Sequence, residues 1–259
     1  MFSLYEFEFL GNRLAEYSIL KNPLELFGLG IIIVAMIIVA FLAYQMFNSY
    51  RETKMAATLY WALAFGFLLI AVIFLIIEKV SYSTLGNRSL GDTMAIFALI
   101  FSGAAIVCFD IFSFHTTYPD RVKILTVIVS LIAAIYVGIL VYSIILSYPH
   151  ADVVNYELVY EPKTYIIVYC TLLPIILIAP SIFFYYSSKM RDNNPPNSIR
   201  ARWMGIGLLF FAIGYITEVA PFLGELAIPF RIFFVLAGIT LWICFRMPEW
   251  FKSKIGWTE

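Results

Sequence analysis

Histidine is nearly absent from this chain of 259 residues: there are two, His115 and His150. Cysteine is scarce, with three, and charged residues make up only 13% of the chain. Each shortage excludes a class of chemistry. Two histidines read near opposite membrane faces supply no axial pair for a haem and no Ser–His–Asp set. No cluster of His and Cys has the spacing of metal ligands, and no Gly-rich phosphate loop occurs. The sequence therefore gives no reason to expect a cofactor, and catalysis is disfavoured. Cys108, Cys170 and Cys244 all fall inside apolar runs, where free cysteine reads as a small packed hydrophobe rather than part of a disulfide framework. Lys plus Arg and Asp plus Glu each number 17, a net charge of +0, so no basic surface invites nucleic acid.

What the chain has in abundance is hydrocarbon. It is 62% hydrophobic with a mean hydropathy of +0.90, against roughly 45–50% apolar residues in a soluble domain. The apolar runs are continuous rather than alternating and approach the ~20 residues that cross a bilayer as a helix. An all-α integral membrane protein follows, a seven-transmembrane-helix bundle with spans at 24–47, 55–79, 92–117, 122–147, 163–187, 200–222 and 226–247. Pro174 and Pro180 predict a kink in the fifth span. Residues 1–23 open with Glu6 and Glu8 where a signal peptide would be basic, and read as an amphipathic surface segment. Residues 248–259 read as a short tail. The alternation from Val153 to Tyr160 suits a short hairpin or lid strand, or an ordinary amphipathic loop.

Orientation is read from Lys and Arg between the runs. Arg51, Lys54, Arg121, Lys123, Lys189, Arg191, Arg200, Arg202, Arg246, Lys252 and Lys254 fall on one side, and Arg13, Lys21, Lys79, Arg88, Lys163 and Arg231 on the other. Eleven against six predicts a cytoplasmic C-terminus and an N-terminus outside, in a multi-pass protein of the cell membrane.

Ionisable groups within hydrocarbon are costly and face the bundle interior, so they are the best pointers to a site. Glu78 and Lys79 end span 2, Asp92 begins span 3, Glu218 lies near the end of span 6, and Arg231 enters span 7. These share one depth near the outer surface. Arg231 needs an acidic partner, for which Glu218 or Glu78 is the natural candidate. Glu78, Asp92, Glu218 and Arg231 thus form a candidate ligand-binding cluster, or alternatively charges that pair to fix helix packing. Deeper in the membrane, Asp110 and His115 on span 3 are a candidate switch, although a spacing of five residues does not stack them on one helix face. The alternative for Asp110 is a structural hydrogen bond to Ser, Tyr or an Arg of the inner side. The last span, "IPFRIFFVLAGITLWICFRMPEW", contains no Lys, which excludes a retinal Schiff base there.

Three stretches carry a resemblance. "RETKMAATLYW…IIEKV" gives a basic entry to span 2 and a carboxylate at its end, with Arg51, Lys54 and Glu78. "VYEPKTYIIVY" has Tyr160 and Pro162 with Glu161 between them. "IRARWMGIGLLF" opens span 6 with Arg200 and Arg202 before a Gly-containing helix. The chain resembles the seven-transmembrane sensor region at the N-terminus of bacterial and archaeal histidine kinases, which often shows a Gly where Glu161 stands. The resemblance implies an N-terminus outside and a sensory role. No kinase part follows the seventh span in this sequence, so the signal would pass to a separate cytoplasmic protein, or the chain is a fragment of a longer one. The expectation is a sensory, receptor-like protein that detects a ligand, lipid or partner at its outer face. A scaffold or anchor subunit of a larger membrane complex and a small-solute or proton transporter using Asp110 are the alternatives.

Overall fold

The computed structural model describes residues 23–83, 87–145, 151–154, 157–160, 162–220 and 227–257. The amphipathic segment expected at 1–23 lies almost wholly outside the described residues, as do His150 and the link at 221–226. In chain order the elements are α1 (Pro23–Thr53), α2 (Ala56–Ser83), α3 (Arg88–Thr117), a 3-10 turn (Pro119–Arg121), α4 (Val122–Ile145), β1 (Ala151–Val154), β2 (Glu157–Tyr160), α5 (Pro162–Ile176), α6 (Ile178–Met190), α7 (Pro195–Val219), α8 (Ala227–Phe230), α9 (Ile232–Arg246) and α10 (Glu249–Ile255). Seven helical units among them are long and apolar enough to cross a membrane, with α5 and α6 forming the fifth and α8 and α9 the seventh. Helices satisfy their own backbone groups, which hydrocarbon cannot do for them. The strands pair antiparallel, Ala151 with Tyr160 through Val154 with Glu157.

Two spans are broken where the sequence supplies a proline. Pro180 has no N–H to give the carbonyl of Ile176 and its ring crowds that carbonyl, so the fifth span opens at Leu177, between α5 and α6. The seventh span is interrupted at Arg231, two residues after Pro229. α9 ends at Met247, whose left-handed backbone (φ 44) closes the helix through its N–H to the Ile243 carbonyl, and Pro248 prevents continuation. What read as a plain tail contains α10, whose Phe251 and Ile255 pack with Met247, Ile199 and Ile243.

α3 is the central helix. In its most apolar stretch 72% of residues are buried, against 17% for α4, which turns most of its surface outward to lipid. The α2–α3 pairing is the most extensive in the bundle. Around Trp61 of α2 the rings of Phe65, Phe109, Phe112 and Phe245 pack at centroid distances of 4.2–5.3 Å. Cys108 and Cys244 are buried as expected, whereas Cys170 is exposed, because it lies on the outward face of α5.

Candidate functional site

The buried stripe of α1 runs Glu25, Gly28, Ile32, Ala35, Val39, and that of α7 runs Leu208, Phe211, Tyr215 and continues to the partly buried Glu218, with steps of three and four residues. Each stripe therefore ends in a carboxylate at the same end of the bundle. There Arg231, at the break before α9, lays its guanidinium against both. Its Nε donates to Glu218 Oε2 at 2.7 Å and its Nη2 to Glu218 Oε1 at 3.1 Å, a two-pronged pairing, while Nη1 donates to Glu25 Oε2 at 3.2 Å. Lys79, at the end of α2, places Nζ 3.5 Å from Glu218 Oε1. Two cations and two carboxylates from four spans thus balance in a water-poor setting: Arg231, Lys79 and Glu25 are each 4% exposed or less. Gly28 is required for this arrangement, since a Cβ there would collide with the Arg231 guanidinium and with Ile228.

Of the residues proposed from sequence, the structure joins Glu218 to Arg231, and the arginine's partner is Glu218 rather than Glu78. Glu78 is buried beside Lys79 on α2. Asp92 is not bonded to Arg231; it accepts the Tyr82 hydroxyl at 2.6 Å, with Gly91 leaving room for the Tyr82 ring. The contributor that sequence reasoning missed is Glu25. An acid in the first turn of a helix looks like an ordinary complement to the helix dipole, and nothing in the chain places it opposite a residue 206 positions away.

Asp110 and His115 do not form a pair. Asp110 is fully buried, and its Oδ1 accepts the backbone N–H of Ala179 at 3.1 Å, inside the first turn of α6 after the break. The partner is a main-chain amide at a proline-opened turn, not the Ser, Tyr or Arg named as the alternative to a switch. Oδ2 has no partner among the described residues, and Asp110 lines a small cavity with Ile106, Ala179, Pro180 and Leu208, with room for about one water. His115, in the last turn of α3, stacks on Tyr60 with centroids 5.5 Å apart.

Below the ion network lies an opening in the bundle. It is bounded by α1, α2, α3, α7 and α9, and offers about 80 Å³ to the centre of a water molecule. Its wall is almost entirely hydrocarbon, including Ile32, Leu68, Ala98 and Leu241, and its polar side chains are Ser102, Tyr215 and Glu218. Phe109 and Phe211, whose rings meet edge to face at 5.7 Å, line both this cavity and the small one at Asp110. Nothing in the sequence pattern announced the cavity, because a gap between helices leaves the apolar periodicity of each helix unchanged.

Fold and site together define a multi-pass membrane protein of seven helices with a cavity inside its bundle, capped at one end by buried, charge-balanced ion pairs. No protein-family model, no curated protein and no solved structure matches the chain.

Proposed function

We propose that this chain is a receptor-like protein of the cell membrane, with its N-terminus outside, in which a small apolar ligand occupies the bundle cavity. The observation that carries this is the cavity itself: an apolar opening between five spans, with a few polar groups gathered toward its ion-capped end, has the composition of a ligand site. The cluster Glu218–Arg231–Lys79–Glu25 then serves as the rigid cap of the site rather than as its floor.

A ligand moves an equilibrium only by its different affinity for two states. Phe109 and Phe211 connect the cavity to the Asp110–Ala179 hydrogen bond, and that bond secures the break in the fifth span. Occupancy would press on these two rings and shift α6, which leads directly into the basic segment 189–202. This route would carry the signal to a separate cytoplasmic protein, in keeping with the resemblance to histidine-kinase sensor regions.

The test is thermal unfolding of the purified protein in detergent across a panel of lipids and apolar metabolites. A ligand at a hundred times its Kd stabilises by about 2.7 kcal/mol, a shift that Ala98→Phe, which fills the cavity, should abolish. If no compound shifts the wild type more than Ala98→Phe, or the milder Ala98→Leu, the proposal fails.

A further inference from the structure

The polar atoms in the cavity wall share a property that decides what they can recognise. Ser102 has one hydroxyl hydrogen, and its Oγ lies 2.9 Å from the Leu99 carbonyl, which can only accept. The same Oγ lies 3.0 Å from the Tyr215 hydroxyl. Both bonds exist together only if Tyr215 donates to Ser102 and Ser102 donates to Leu99. Tyr136 also donates to the Leu99 carbonyl, at 3.1 Å. Both hydroxyl hydrogens in the wall are therefore spent within the protein, and what Ser102 and Tyr215 (which is also hydrogen-bonded to Tyr136) can offer the cavity is an acceptor lone pair. Glu218, one turn further along α7, is a carboxylate and only accepts. Its cations, Arg231 and Lys79, lie behind it and do not line the cavity. Backbone N–H groups of the flanking helices are used along the helices.

The shape is as specific as the chemistry. On α2 the lining runs from Phe65 to Leu75, ten residues or roughly 15 Å of helix, about the length of a ten-carbon chain. A volume of about 80 Å³ over that length is a narrow slot.

We infer that the cavity selects a linear hydrocarbon bearing an uncharged hydrogen-bond donor, an aliphatic alcohol, over acceptor-only molecules of the same length. The hydroxyl sits between Tyr215 and Glu218 and donates to one of them, and the chain extends toward Phe65, Phe109 and Leu241. An ether or carbonyl oxygen at that place would face lone pairs alone. An anionic head would meet Glu218 before either cation. This rests on the receptor-like reading for the site, but the donor requirement can fail without it.

The experiment is a thermal-shift titration in maltoside micelles with 1-decanol, the methyl ether of 1-nonanol and decane. It uses the wild type, the Ser102→Ala/Tyr215→Phe double variant and Ala98→Phe. The shift remaining in Ala98→Phe measures the effect of each compound on the micelle. The wild type is expected to bind 1-decanol at least about tenfold more tightly than the ether or the alkane, and the double variant to lose most of that preference. Should the double variant not fold, Tyr215→Phe alone is read in its place. Equal affinity for alcohol and ether in the wild type overturns the donor requirement while leaving an apolar ligand site standing. An unchanged preference in the variant overturns the role of the hydroxyl pair. Shifts no larger in the wild type than in Ala98→Phe, for all three compounds, overturn this inference.

Discussion

At the end of the bundle where α7 finishes, Glu218 meets an arginine in two-pronged contact and a lysine 3.5 Å away, with Glu25 completing the set. At the break in the fifth span, Asp110 meets one backbone amide and no cation, and one of its oxygens has no partner among the described residues. The first carboxylate is bonded to cations of two other spans, and Glu25 ties in a fourth through Arg231. The second holds a single turn of a helix already weakened by Pro180. The difference separates a clamp from a latch: charge pairs across helices set where α1, α2, α7 and α9 stand, whereas a single hydrogen bond ties the first turn of α6 to α3, the rest of α6 being held by its packing and the Ser187–Ser198 bonds to α7. Two aromatic rings, Phe109 and Phe211, stand between the cavity and the latch.

Breaking the clamp should cost most. Arg231→Ala leaves Glu218 and Glu25 buried without their principal counter-charge, and a loss of about 3–5 kcal/mol is expected in reversible denaturation in mixed micelles. Arg231→Lys keeps the charge but not the fork, so it should fall between this variant and the wild type. Gly28→Ala attacks the same clamp by sterics. Its Cβ must displace the guanidinium, and about 1–3 kcal/mol should be lost by the same assay. At the latch, Asp110→Ala removes the acceptor of the Ala179 N–H and is expected to cost about 1–3 kcal/mol. Asp110→Asn keeps an acceptor oxygen and should cost less than about 1 kcal/mol. Faster amide exchange across residues 177–182 in Asp110→Ala, with α1 and α7 unchanged, would locate the effect at the break. The smallest effect belongs to Lys252, whose pairing with the exposed Glu249 crosses no helices; Lys252→Ala should change stability by less than about 0.5 kcal/mol. If Asp110→Ala proved as damaging as Arg231→Ala, the distinction between clamp and latch would collapse.

The spans were legible because each is a continuous apolar run, and the kink because Pro174 and Pro180 sit inside one of them. The alternation between Val153 and Tyr160 left a hairpin or lid strand and an ordinary loop open, and the backbone pairs β1 with β2 there. Glu218 with Arg231 could be read because both charges stand near the facing ends of consecutive spans. Glu25 could not, since its partner is far along the chain and its own position at a helix start has a simpler explanation. The partner of Asp110 was hidden for a different reason. It is a main-chain amide, and a sequence names side chains; only the coincidence of an intramembrane acid with a proline in another span hinted at it. The cavity was invisible for the same kind of reason, being a property of how helices fail to touch.

The most direct test of the central claim, that the bundle cavity holds a ligand, is native mass spectrometry of the protein released from membrane into mild detergent. The wild type should carry a small apolar molecule that Ala98→Phe does not carry while remaining folded. The same adduct on both proteins, or none on either, would contradict the claim.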